Sequence, residues 1–270
     1  MFIQLHERPF EVAAGTTLFQ LRDAVKPQAD VLVYNGAIVA VDRPLRENDA
    51  VHLIRRGEKP SAEEMESLLV ARHTPGVHGK VRRGVVGIAG LGGLGSTVAL
   101  ALARTGVGRL VLADFDVVEP SNLNRQQYAV AQIGMFKADA LREVLSQANP
   151  YVEVTSRVVF LDATNVLEVF AGVDVMVEAF DSVTAKAMLL KAFRRYRPSV
   201  PVVTVSGLAG YGHANRIRTR RVLKNLYLVG DEETGAAPGM GLMAPRVGVA
   251  ASHQANAVLR LLLGLEVEEP

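Results

Sequence analysis

Residues Gly87 to Ser96 read GIAGLGGLGS, with the apolar run VVGIA leading in and STVALALA leading out. No other stretch restricts the architecture as strongly. A strand that ends in a glycine turn and continues as a helix is the unit that repeats in parallel α/β sheets. In that setting Gly90, Gly92, Gly93 and Gly95 admit two readings. Their backbone N–H groups and the helix N-terminus meet an anionic phosphate, or their missing side chains let strand and helix pack closely. Ligand binding is the preferred reading, and an acid at the end of the next strand supports it. Asp114 lies twenty-four positions beyond Gly90, where a carboxylate can bond ribose hydroxyls.

The flanking sequence keeps the same alternation. After RLVLADFD come a helix at KADALREVLSQANP, strands at VEVTSRVV and VDVMVEAFD, a helix at SVTAKAMLLKAFRR and a strand at VPVVTVSG. Such alternation predicts a doubly wound, mostly parallel α/β sheet of the Rossmann-like kind, with helices on both faces. APRVGVAASHQANAVLRLLLG reads as a long buried helix. At 270 residues and 49% hydrophobic content, the chain can bury one large core and one small one. Gly84 to Ala103 is uncharged and long enough to cross a bilayer, but its six glycines argue against a membrane helix.

Two domains are expected, 1–57 and 58–270. In the first, FIQL and FEV flank a turn at Glu7 to Pro9, and Thr17 caps a short helix with Leu18, Leu21 and Val25 on one face. VLVYNGAIV follows as a hairpin about Asn35-Gly36, and AVHLIRR as the last strand, an order read as ββαββ. A linker helix then starts at Ser61, with Glu64 at capping-box spacing and Met65, Leu68 and Leu69 as its apolar face, and ends near HTPG at 73–76.

The residues after Asp114 separate two kinds of nucleotide chemistry. EPSNLNRQ supplies Asn122, Asn124, Arg125 and Gln126, and Lys137 opens the next helix. A redox dinucleotide has no triphosphate to neutralise, whereas a carboxylate attacking ATP brings anion towards anion. Two unit charges at 4 Å repel by about 4 kcal/mol at an effective dielectric of 20, so cations belong there. Singly, Arg125 and Lys137 read as a solvated face; together with the glycine loop and Asp114 they read as phosphate ligands. Asp181, at the end of VMVEAFD, either caps the helix that begins at Ser182 or holds magnesium.

The remaining features exclude more than they assign. A net charge of +2 without a basic stripe and interleaved aromatics argues against nucleic acid. The absence of cysteine removes disulfides, CxxC zinc sites and any thioester or persulfide carried by this chain. The six histidines show no metal-ligand spacing, and NRIRTRRVLK, Asn215 to Lys224, is either a dock for an acidic carrier or a solvated strand. MFIQLHERPF lacks a secretory h-region, so a cytoplasmic address without membrane attachment is expected.

Two resemblances follow from these motifs. VAAGTTLFQL and DAVHLIRRG resemble the β-grasp (ubiquitin-like) sulfur carriers of the ThiS type, which end in a free Gly-Gly carboxylate. Here the strand runs on through Arg55-Arg56-Gly57-Glu58-Lys59, which leaves no tail to activate. GxGGLGS, DFDxVExSNLNRQ, IGMFKADAL, ANP and the strand-terminal Asp181 resemble the ThiF, MoeB and HesA adenylyltransferases, relatives of ubiquitin-activating enzyme, over about Glu63 to Gly264. That resemblance implies ribose on Asp114, phosphates on Asn122 and Arg125, phosphate or ribose on Gln126 and Lys137, and magnesium on Asp181. It also implies a homodimer in which an arginine, here Arg72, reaches the neighbour's triphosphate. Three departures stand out: no CxxC zinc motifs or acceptor cysteine, Ser182 where asparagine often follows the metal aspartate, and the fused carrier-like domain.

The expected activity is ATP- and magnesium-dependent adenylation of the C-terminal glycine of a separate ThiS-like sulfur carrier, in thiamine thiazole biosynthesis. Rival readings are activation of a molybdopterin-type carrier, an NAD-dependent oxidoreductase and a non-catalytic nucleotide-binding scaffold.

Overall fold

The computed structural model describes residues 1–74 and 76–267, so Pro75 of the HTPG stretch lies outside the described residues. The chain forms two compact units, Met1–His78 and Gly79–Pro270.

The first unit contains β1 (Phe2–Leu5), β2 (Arg8–Glu11), α1 (Leu18–Val25), β3 (Val31–Tyr34), β4 (Ala37–Val39), β5 (Ala50–Ile54) and α2 (Ala62–His73). The order is therefore ββαβββ, because the Asn35-Gly36 hairpin contributes two strands where the expected ββαββ counted one. The sheet runs β2-β1-β5-β3-β4, with β1 and β5 parallel and the other pairs antiparallel. Ile3, Leu5, Leu18, Leu21, Val51 and Leu53 form its core. Thr17 caps α1 as expected, accepting from Gln20 N while the Gln20 side chain accepts from Thr17 N. Asn35 and Gly36 have φ of 47° and 83°, which suits a two-residue hairpin turn.

Local pattern misleads in three places. The first hairpin turns at His6-Glu7, both at positive φ, and Pro9 lies in β2 opposite Gln4. An edge strand tolerates proline because its outward N–H has no ladder partner. Val25, expected in the core, is 42% exposed, since α1 ends there before its last turn reaches the sheet. The last strand stops at Ile54 rather than continuing through Arg56. Ser61 does cap α2, accepting from Glu64 N at 3.1 Å.

A short helix, α3 (Val77–Val81), leads into the second unit, which contains β6 (Val85–Ala89), α4 (Gly93–Thr105), β7 (Arg109–Asp114), α5 (Lys137–Ala148), β8 (Glu153–Val158), α6 (Val166–Val169), β9 (Val175–Glu178), α7 (Val183–Tyr196), β10 (Val202–Val205), β11 (Arg218–Leu223), β12 (Leu226–Gly230) and α8 (Ala244–Leu263). Seven strands form one sheet in the order β11-β12-β10-β9-β6-β7-β8. All neighbours are parallel except the antiparallel edge pair β11 and β12. The chain winds outward from β6 through β7 to β8, then returns to β9 and winds the other way. That reversal opens a crevice between β6 and β9 at their carboxyl ends, where doubly wound sheets bind ligands.

Buried apolar side chains from β6, β9 and β10, among them Val86, Ile88, Met176, Val177 and Val203, give the sheet its centre. The α8 helix buries one face, through Val247, Ala250, Ala251, Ala255 and Val258, rather than its whole circumference. Residues 215–224 provide the exposed edge strand β11, of which Arg220 pairs with Glu232; Arg216, just before it, pairs with Glu233.

Candidate nucleotide site at the sheet edge

Both readings of the glycine loop hold, at different residues. Gly90 turns the chain out of β6 at a φ of 86° and donates to Ala113 O at 3.0 Å. A Cβ on Gly95 would lie 1.9 Å from Gly90 O, so strand and helix meet backbone to backbone there. Gly93 is packed too, against Val247 and Arg125. Gly92 differs: the nearest atom to a Cβ built on it is Gln126 Nε2, at 3.8 Å. Gly92 is also the N-cap of α4 and supplies no side-chain hydrogen bond. The first-turn N–H groups of α4 therefore lack the usual side-chain acceptor, which suits an anion.

Asp114 closes β7 with 9% exposure. Its Oδ2 accepts from Leu91 N at 2.6 Å and its Oδ1 from Asp116 N at 2.8 Å. Burial pushes the carboxyl up, against the downward pull of those amides and of Lys137. Lys137, 7% exposed at the start of α5, is held by a neighbour that the sequence reading passed over: its Nζ pairs with Asp116 Oδ2 at 2.8 Å. Tyr128 Oη donates to Leu91 O at 2.7 Å and ties the loop to the segment after β7.

Gln126 is 8% exposed; its Nε2 lies beside open Gly92, and its Oε1 is buried without a hydrogen-bond partner. Arg125 lies along Gly93 and donates from Nη1 to Ser121 O at 3.2 Å and Asn124 Oδ1 at 2.7 Å, with no carboxylate partner among the described residues. Asn122 faces its own turn: it accepts from Glu119 N at 3.1 Å and donates to Ser121 Oγ at 3.4 Å. It shapes the short helical turn that presents Arg125 and Gln126.

Across the crevice, Asp181 follows β9, exposed and without a hydrogen bond or ion pair among the described residues. It does not cap α7. Ser182 does, accepting from Ala185 N at 3.3 Å, because Ser182 occupies the residue before the first helical turn. Ala179 O would lie 2.9 Å from a Cβ on Gly90, so the Asp181 turn and the glycine loop are in direct backbone contact. Among the described residues no three His, Cys, Asp or Glu side chains cluster to hold a metal. A lone free carboxylate fits magnesium that is held mainly by substrate phosphates, the usual arrangement for that ion.

The second unit thus brings together Gly90, Gly92, Gly93, Gly95, Asp114, Asn122, Arg125, Gln126, Lys137 and Asp181. Arg72 belongs to the first unit, 75% exposed, with Nη2 on Glu7 Oε1 at 3.0 Å. Buried charged groups near the strand ends escaped sequence reasoning. Glu178 is 0% exposed in β9, and Arg246 of α8 pairs with buried Asp231. An acid inside VMVEAF and an arginine inside an apolar helix were the available signals. The strand LYLVG, now β12, was also overlooked, although its apolar run follows a turn residue, Asn225, at a φ of 58°.

The fold is a doubly wound, mostly parallel α/β sheet with a glycine loop and polar residues gathered at the switch in strand order. Comparison with known proteins is more specific: the ThiF family model matches residues 67–270, and the chain belongs to the ThiF family. The ThiS-like ubiquitin model matches residues 1–57. The tRNA threonylcarbamoyladenosine dehydratase of Escherichia coli is 36% identical over 52% of this chain and 52% of its own length. Molybdopterin-synthase adenylyltransferase of Salmonella typhimurium is 31% identical over 65% of this chain and 71% of its own. The Saccharomyces cerevisiae adenylyltransferase and sulfurtransferase UBA4 is 28% identical, and the match spans 74% of this chain and 47% of the yeast protein. The match thus spans about half the length of the first and third of these relatives. Among solved structures, the E. coli dehydratase TcdA in complex with ATP superposes with a TM-score of 0.66 at 25% identity, covering 73% of this chain and 92% of that one.

Proposed function

We propose that this protein adenylates the C-terminal glycine carboxylate of a separate ubiquitin-like sulfur carrier, using ATP. A carboxylate oxygen of the carrier attacks the α-phosphorus, forming the acyl–phosphate bond of an acyl-adenylate as the bond to pyrophosphate breaks. The observation that carries this reading is the crevice itself. Uncapped α4 amides and the Arg125 guanidinium, which has no carboxylate partner among the described residues, stand on one side, and Asp181, without a hydrogen bond or ion pair among those residues, stands on the other.

In this reading Asp114 accepts from the ribose hydroxyls, which the spare lone pairs of an ionised carboxylate allow. The α4 amides and Arg125 take the phosphates, Gln126 Nε2 donates to the phosphate or ribose oxygens passing over Gly92, and Lys137, steadied by Asp116, supplies positive charge behind the ribose. Asp181 would hold magnesium, whose contribution when bound is to neutralise phosphate charge. Catalysis then rests on positioning and preorganised electrostatics rather than on a covalent enzyme intermediate. ATP and AMP are bound in structures of the dehydratase relative. The chain has no cysteine, so sulfur transfer belongs to another protein.

The fused ThiS-like unit favours a carrier of that type and a role in thiamine thiazole formation over a molybdopterin-type carrier. The chain continues past β5 into α2, so the unit presents an amide where a substrate needs a carboxylate. It serves as a brace or recruiting module. We place the protein in the cytoplasm as a homodimer, with Arg72 supplied to the neighbouring subunit's triphosphate.

Mixing the purified protein with ThiS-like and molybdopterin-type carriers and ATP, then weighing the carriers, tests the reading. An added AMP on the ThiS-like carrier is expected. ATP binding without adenylation of any carrier or pyrophosphate exchange would favour the scaffold reading, and tighter binding of NAD than ATP the oxidoreductase.

A further inference from the structure

Glu178 ends β9 wholly buried, yet its carboxylate is surrounded by donors. Phe180 N donates to Oε1 at 2.7 Å, Lys186 Nζ reaches the two oxygens at 2.9 and 3.0 Å, and the Thr204 hydroxyl of β10 donates to Oε2. Gln254 of α8 donates to the Glu178 carbonyl at 3.1 Å. A buried ion pair is poor value for stability alone, because desolvation offsets most of its attraction and an apolar pair of similar volume does as well. What this pair does is geometric. Glu178 and Lys186 stand at the two ends of the turn 179–182, and the same carboxylate fixes the turn's Phe180 amide from within. Ala179 N, bonded to Ala89 O at 2.9 Å, anchors the turn to β6. The backbone leading into Asp181 is thereby anchored at Ala179 and Phe180, while the Asp181 carboxylate has no hydrogen bond or ion pair among the described residues.

We infer that Glu178, clamped by Lys186 and Thr204, is a positioning residue that aims the Asp181 carboxylate at the cation accompanying the nucleotide; this rests on the proposed role of Asp181. Loss of the Glu178 charge lets the turn sample other conformers, and Asp181 then meets the cation only part of the time.

The test measures manganese binding by electron paramagnetic resonance on the full chain, with α,β-methylene-ATP present. Glu178→Gln is expected to weaken manganese binding about tenfold, with analogue affinity in EDTA unchanged. Asp181→Asn should weaken it at least as much, and adding Glu178→Gln to Asp181→Asn should have no further effect, because the two act through one group. Wild-type manganese affinity in Glu178→Gln would overturn the inference. So would an equal loss in the Asp181→Asn background, which would mark the effect as the field of an unpaired Lys186. No loss in Asp181→Asn itself would instead remove the reading on which the inference rests. Should Glu178→Gln fail to fold, Thr204→Val, which keeps shape and charge but drops one donor, is expected to cost about threefold, and wild-type affinity there overturns the inference.

Discussion

Asp114 and Asp181 both follow strands of one parallel sheet, on opposite sides of the same crevice, yet their surroundings are opposite. Asp114 is buried, accepts from two backbone amides and lies near the Lys137–Asp116 pair. Asp181 is exposed and unpartnered on a turn held by its neighbours. One carboxylate is fixed by two backbone amides; the other is exposed to solvent. The difference teaches that two acids in similar strand-end positions can have opposite surroundings; in the proposed function they serve opposite ends of one ligand, a neutral hydroxyl pair and a charged polyphosphate.

The sharpest way to break the comparison is Asp181→Asn. Pyrophosphate exchange should slow about a hundred- to a thousandfold, the typical cost of removing a preorganised electrostatic partner, while the melting temperature barely moves because the side chain is exposed and makes no hydrogen bond or ion pair among the described residues. Arg125→Ala should slow exchange by a similar factor, with about 1 kcal/mol of stability lost for its bonds to Ser121 O and Asn124 Oδ1. Near-normal exchange in either would put the chemistry elsewhere.

Gly95→Ala asks whether the loop on the Asp114 side is as rigid as its contacts imply. Its new methyl would collide with the Gly90 carbonyl, and backbone cannot swing aside. A loss of about 3 kcal/mol in urea unfolding is expected, at the upper end for overpacking; a stability within experimental error of wild type would show that the loop gives way.

Asp114 should betray its burial through pH. Its folded carboxyl is pushed above the unfolded value by desolvation. The stability it contributes is therefore full below the unfolded value and is lost as pH rises through the folded one. Wild type should lose about 1.4 kcal/mol per unit of that shift relative to Asp114→Asn as pH rises from about 4. Parallel stability curves for the two proteins would contradict it.

The smallest effect belongs to Ser182→Ala. Losing the cap of α7 should cost about 1 kcal/mol of stability and leave exchange within about twofold, which would separate the neighbour that caps from the acid that does not.

What could be read from the chain before folding was mostly local. Thr17 and Ser61 cap their helices, and Asn35-Gly36 turns its hairpin, because each signal acts within three or four residues. Val25 failed because burial depends on where α1 ends against the sheet, and the His6-Glu7 turn because Pro9 is admissible on an edge strand. Asn122 was legible as part of the polar cluster but not as the group that builds its own turn.

The sequence by itself determined the doubly wound sheet, the glycine loop at a strand's end and the set of polar residues gathered there, since periodicity and turn chemistry are short-range. Only the tertiary structure decided which glycines are packed and which one is open, that Lys137 is held by Asp116, and that Glu178 rather than an exposed group supports the Asp181 turn. Those outcomes rest on contacts between residues far apart in the chain, Leu91 with Asp114 and Glu178 with Thr204. Burial and pairing of a charge are fixed by which strands come to lie side by side, and no window of neighbouring residues contains that information.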